Sequence, residues 1–182
     1  MGGMKSKMKT TYLTMLICTV ALAGVPFTSG FLSKDAILAG TLSFTMHHPE
    51  HFLLALFGFG AAFLTAFYMF RLVFMTFYGE PVRREVYDNI HESPSAMTAP
   101  LVTLATLSFF IFFTLPYFNP FSDHGWFTVL IEAQDSVVPG HLNPPANEIA
   151  GEMHHAHMPA MFLSILIAFS GIGLAVLMYL QK

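Results

Sequence analysis

The chain has 182 residues, 54% of them hydrophobic and 10% charged, with a mean hydropathy of +0.60. Soluble domains carry about 25% charged residues, so this composition belongs in a bilayer, and a formal charge of −3 gives no footing for nucleic-acid binding. The one cysteine, Cys18, lies in an apolar run, which excludes a disulfide or thiolate metal site within the chain and reads as a small buried side chain.

The N-terminal KSKMK, followed by YLTMLICTVALAG, imitates a secretory leader with a small-residue cleavage site. It is read here as a retained membrane segment, because it opens the first of four hydrophobic stretches: Thr10–Thr45, Phe52–Tyr78, Met97–Leu115 and Met158–Leu180. The first is too long for one crossing, since a continuous helix over it would measure about 54 Å against a hydrocarbon core of about 30 Å. Pro26 lies near its middle, removing a backbone donor and crowding the carbonyl of Leu22. Gly24 and Gly30 flank the proline, with Thr28 and Ser29 between. This is the pattern of a broken transmembrane helix, whose unwound stretch is tolerated at membrane depth only inside protein or beside a hydrated cavity.

The other three stretches run about 40, 28 and 34 Å as helices, each a full crossing. The second carries Gly58, Ala62 and Ala66 at four-residue spacing, a stripe that would let another helix approach closely. Before the third, Ser93 and Pro94 read as a cap and first-turn proline, with His91 and Glu92 helping that helix to start. Residues 116–157 read as a loop.

Positive charge orients the chain. Lys5, Lys7, Lys9, Arg83, Arg84 and Lys182 all fall on one side if Thr10–Thr45 crosses once, while residues 46–51 and 116–157 contain no Lys or Arg. By the positive-inside rule that side is cytoplasmic, which puts both termini inside and residues 116–157 outside. The expectation is an all-α membrane protein of about four transmembrane helices, the first broken near Pro26, forming a single membrane domain over 1–182.

Lys34 and Asp35 stand in the apolar run just after the break. On this topology Lys34 lies about 16 Å below the outer boundary, near the midplane. An ammonium there must be neutralised, paired or hydrated. Desolvation and the start of the second half-helix oppose its charge, Asp35 favours it, and a lysine so balanced suits a proton relay. The alternative is a purely structural ion pair at the break. Arg71, about 10 Å deep on the same scale, completes the candidate set, although it can snorkel to the surface.

The histidine clusters TMHHPEH (His47, His48, His51) and EMHHAHM (Glu152, His154, His155, His157) fall in loops or at helix ends on the outer side. They read as solvated groups, so neither a metal nor a haem is assigned to them. No phosphate-binding glycine loop or nucleophile elbow occurs, and no soluble catalytic centre is expected.

At GVPFTSGFLSKDAIL the sequence resembles the antiporter-like membrane subunits of bacterial respiratory complex I, the chain L family of NADH-quinone oxidoreductase. The likeness continues through MGGMKSKMKTTYL, LTAFYMFRLVFMTFYGEP and HESPSAMTAPLV, and more loosely through LSILIAFSGIGLAVLMYLQK. It implies part of an antiporter-like helix bundle with two inverted five-helix repeats, each having a broken helix with an ionisable residue near its break. Thr10–Thr45 would be the broken helix of the second repeat, and Lys34 its proton-transferring lysine. The first repeat, most of the second and the lateral helix have no counterpart, so a fragment or a split subunit is expected, with another chain supplying the missing helices. The implied role is a proton-translocating, non-redox component of NADH:quinone oxidoreductase in the bacterial inner membrane. It would hold no nicotinamide, flavin or iron–sulfur cofactor itself and would be partnered by other membrane subunits of complex I. Two other roles stand beside it: the large subunit of a multisubunit cation/proton antiporter or membrane-bound hydrogenase, and a structural piece that conducts no protons.

Overall fold

The computed structural model describes residues 2–81, 84–110 and 146–180. A 3-10 turn at Met4–Ser6 leads into α1 (Lys9–Ala23) and α2 (Ser29–His47). A second turn, Pro49–His51, leads into α3 (Phe52–Phe77). Then come the short α4 (Arg84–Asp88), α5 (Ser95–Phe110) and the long α6 (Ala146–Tyr179). No strand occurs among the described residues. In hydrocarbon every backbone amide must find its partner within the segment, and a helix does this for any apolar sequence of sufficient length.

Contacts at one end set the direction of each pass. The Gly3 amide donates to the Tyr78 carbonyl at 3.2 Å, which brings the start of α1 to the end of α3. The start of α5 arrives there too, with Glu92 against Thr10. The Arg71 guanidinium lies over the Tyr179 ring, so α6 ends toward the same end of the bundle, about a turn and a half short of the end of α3. The end of α2 and the Pro49–His51 turn lie at the far side. α1 and α2 together therefore run from one end of the bundle to the other, α3 returns, and α5 and α6 pack alongside them. α1, with 15 residues, is about 22 Å long and could not span the core alone. Pro49–Phe77 and Met158–Tyr179 are each long and apolar enough to do so.

Small residues bring the helices together. Ala62 and Ala66 on α3 are buried, and a Cβ on Gly58 would lie 3.3 Å from Leu38 of α2. Among the described side chains of α6 the buried residues are Ala160, Ser164, Ala168, Gly171 and Ala175. At Gly171 a Cβ would come within 2.7 Å of the Phe63 carbonyl and 3.1 Å of Ala66. The α3 stripe is thus filled by α2 and α6 of the same chain, and it gives no separate argument for a partner helix. Around it Ala23, Ala66, Phe70, Phe74 and Ala175 form one apolar cluster, and Leu38, Ala55, Phe59 and Ala62 a second. Phe57, Leu64, Phe162 and Leu166 point outward and are exposed, the surface that a bilayer or neighbouring helices would cover.

The last helix departs from the hydropathy reading. It begins at Ala146 rather than Met158, so residues 146–157, placed in the outer loop from sequence, are helical. Polarity marks the membrane boundary but does not end a helix, and ANEIAGEMHHAH contains no residue that would break one. Pro159 lies inside the same helix, where it leaves an upstream carbonyl without its usual amide but does not end the run. The remainder of that loop, residues 116–145, and the end of the third predicted crossing at Leu115 lie outside the described residues.

Candidate functional site

The break is built by sequence-local chemistry. Gly24 adopts φ 78, a left-handed conformation that other residues reach only with strain. That turn lets the Gly24 amide donate to the Ala21 carbonyl at 3.1 Å and the Val25 amide to Val20 at 3.3 Å, the paired bonds of a Schellman ending. Two of the last carbonyls of α1 are thereby satisfied. Leu22 is not among them, because its partner in a continuous helix would be the amide that Pro26 lacks. The chain then passes through Phe27, at φ 70, and Thr28 in extended conformation before α2 begins. Fully buried Thr28 turns its hydroxyl back to donate to the Val25 carbonyl at 2.7 Å.

Lys34 closes the gap that the proline opens. Its Nζ donates to the Leu22 carbonyl at 2.8 Å, reaching back across the break from the second turn of α2. The half-buried amine therefore lies at the negative end of the α1 dipole, which favours the charge that the start of α2 disfavours. Two glycines make this approach possible. A Cβ on Gly24 would lie 3.0 Å from Lys34 Cδ, and a Cβ on Gly30 would run into the Ala21 carbonyl. The two half-helices thus overlap side by side at the break, with the lysine threaded along the seam.

Asp35 leaves α2 in another direction. It is buried at 4% exposure and faces α6, where the Ser164 hydroxyl donates to its Oδ1 at 3.5 Å. The structure accordingly brings Lys34 to the break and Asp35 to the α2–α6 interface, consistent with adjacent helical positions pointing about 100° apart. Arg71 is not part of this cluster. Its guanidinium lies 5.5 Å from the centre of the Tyr179 ring, exposed near the end of α3 where its length lets it reach the surface.

The histidines at the end of α2 and in the turn that follows engage in local contacts. His47 Nδ1 is 2.9 Å from the Ser43 carbonyl, His48 is 3.3 Å from Glu50, and the His51 ring stacks on Phe44 with centroids 5.8 Å apart. The side chains of Glu152, His154, His155 and His157 lie outside the described residues.

One residue takes a role that its local sequence does not suggest. Glu92 does not start its own helix. The α5 amides of Met97 and Thr98 donate instead to the Pro94 carbonyl. The Glu92 carboxylate crosses to α1, accepting from the Thr10 amide at 2.9 Å, the Thr11 amide at 3.4 Å and the Thr11 hydroxyl at 2.6 Å. These bonds, led by the Thr11 hydroxyl, hold the carboxyl below its usual titration range. The signal available in the sequence was negative: α1 starts at Met8-Lys9 with no capping side chain and no acid in its first turn. Beside it Tyr12 and Tyr78 share a hydrogen bond of 2.7 Å, and Lys5 lies over both rings.

Residues 1–78 match the family described as NADH:quinone oxidoreductase/Mrp antiporter, transmembrane. NADH-ubiquinone oxidoreductase chain 5 of Dictyostelium citrinum is 44% identical over 112 residues, which cover 61% of this chain and 16% of that protein. F(420)H(2) dehydrogenase subunit L of Methanosarcina mazei is 32% identical across 98% of this chain and 27% of that protein. NADH-quinone oxidoreductase subunit L of Neisseria meningitidis is 32% identical across 100% of this chain and 29% of that protein. The chain spans less than a third of the length of these relatives.

Proposed function

We propose that this chain, which belongs to the antiporter-like membrane family of NADH-quinone oxidoreductases, is a proton-translocating membrane component of such a complex, with Lys34 as an intramembrane proton relay. The observation that carries the reading is the Lys34 Nζ donating to the Leu22 carbonyl across the helix break at 2.8 Å. A carbonyl accepts from an ammonium and from a neutral amine alike, and more strongly from the first. The same geometry therefore supports both protonation states, and a charge moving nearby can shift the balance between them. Asp35, one residue on and buried against α6, is the adjoining group of the relay. Arg71, held at Tyr179, has no part in it on this reading.

The complex itself would supply the redox chemistry, and this chain would hold no nicotinamide, flavin or iron–sulfur group. Its partners would be the other membrane subunits, including the helices that relatives carry and this chain does not. We place it in the bacterial inner membrane with the Lys5–Arg84 end in the cytoplasm, on the strength of the lysine and arginine asymmetry. A second reading, a membrane subunit of an F(420)H(2) dehydrogenase, is favoured by the Methanosarcina relative, which is similar along almost the whole chain. The proton site would be the same in both, and the electron donor oxidised by the purified complex distinguishes them.

The test is proton translocation and complex abundance in membranes carrying Lys34→Met or Lys34→Arg. Methionine removes the titratable group, and arginine keeps a charge that does not leave in this pH range. Both variants should lose pumping by about tenfold or more while the complex still assembles, given the usual weight of a positioned acid–base group. Normal pumping in Lys34→Arg together with failed assembly in Lys34→Met would instead make Lys34 a structural residue.

A further inference from the structure

We propose that Glu92 is a positioning residue for the helix break: by fixing the start of α1, it fixes where the Leu22 carbonyl meets Lys34. The inference rests on the reading of Lys34 given above for its functional consequence, but not for its geometry. α1 is a half-helix with no cap of its own. Met8 provides none, no acid lies in its first turn, and Lys9 at its first position opposes the dipole there. The anion that this end needs comes from Glu92, through bonds to two successive amides and the Thr11 hydroxyl.

The connection spans 82 residues of sequence between Thr10 and Glu92, so it ties α1 to the segment leading into α5 rather than to its own flank. From Thr10 to Leu22 the helix rises about 18 Å as one hydrogen-bonded rod. A shift of half an ångström along its axis moves both ends together. A 2.8 Å hydrogen bond at the far end then lengthens toward the limit at which it ceases to count. At the break α1 meets α2 through the close approach of Gly30 to the Ala21 carbonyl and through the Lys34 bond, both of which a slide of α1 along its axis would disturb. Glu92, together with the Tyr12–Tyr78 bond, opposes that sliding.

Hydrogen exchange of the whole membrane complex, read by mass spectrometry on peptides covering residues 8–14 and 22–26, tests this in Glu92→Gln and Glu92→Asp. Glutamine keeps the length but sets an amide donor against the Thr10 and Thr11 donors, while aspartate keeps the charge on a shorter arm. We expect exchange in both peptides to rise about five- to tenfold in Glu92→Gln, with partial recovery in Glu92→Asp, the size a lost cap gives. Pumping per electron transferred should fall alongside it. A rise confined to residues 8–14, with 22–26 unchanged, would overturn the proposal and leave Glu92 an ordinary local cap. Should Glu92→Gln fail to assemble, Thr11→Val removes only the 2.6 Å contact, and it must still raise exchange at 22–26 for the proposal to stand. The exchange result holds or fails independently of Lys34: unaltered pumping in the Lys34 variants would remove the relay but leave this coupling to be read from residues 22–26.

Discussion

The two ends of α1 are closed in opposite ways. At the break the turn residues lie within the sequence from Val20 to Thr28, and an external donor, Lys34, follows in the second turn of the next helix. At the other end the cap is Glu92, brought by the fold from beyond α3 and α4. The difference teaches why a broken helix can be recognised from one window of sequence while its anchoring cannot. Proline, glycine and threonine act on neighbours a few bonds away, whereas a carboxylate caps any helix start that the tertiary structure places beside it.

The largest effect on this contrast should come from Gly30→Ala. A Cβ there would run into the Ala21 carbonyl, so the half-helices must separate or the turn must rebuild. Overpacking of this kind costs about 1–3 kcal/mol, and both complex abundance and thermal stability in detergent should fall. A variant with wild-type stability would show that the seam is looser than drawn and that Lys34 has room to leave the Leu22 carbonyl.

The Glu92 end sharpens the comparison through pH, with a smaller effect. Its carboxyl is held below the ordinary range in the folded state, by the Thr11 hydroxyl first and by the Thr10 and Thr11 amides. A depressed carboxyl contributes stability that is fully present above its unfolded value, about 4.3, and is lost as pH falls through the lower folded value. Water shares this site, so the contribution should be no more than about 1 kcal/mol. Protection of the Thr10 and Thr11 amides should therefore stay level from pH 8 to about 5 and decline below the usual carboxylate range. In Glu92→Gln it should be level throughout, and identical profiles for the two proteins would mean that the cap does not depend on the charge.

The smallest effect is expected from Arg71→Gln. It removes an exposed cation from over a partly buried ring, worth about 0.5–1 kcal/mol, and touches neither end of α1. Pumping should be unchanged within error. A loss as deep as that of Lys34→Met would place Arg71 on the proton route and extend the site along α3.

Much of the candidate site was legible because its logic is local. Pro26 and its glycines announced the break, and a charge at membrane depth announced Lys34. The Leu22 carbonyl was even identifiable as the group the proline abandons, but which donor would answer it was not, because Lys34 reaches back from another helix. Adjacent helical positions point about 100° apart, but only the packing of α6 against α2 gives Asp35 its contact with Ser164. The small-residue stripe on α3 was visible, while its counterpart on α6 was passed over, since a run of Ala, Ser and Gly within an apolar segment has no partner until two helices meet.

By itself the sequence determined that this chain is a helical membrane protein and where its first long apolar stretch breaks. Those follow from the cost of burying unsatisfied amides and charges in hydrocarbon, which any single segment must meet alone. Only the tertiary structure decided that Glu92 caps α1, that Arg71 rests on Tyr179, and that Lys34 and Asp35 part company at the break. These depend on which helix faces lie side by side, a choice made by packing small residues against one another and not by hydropathy.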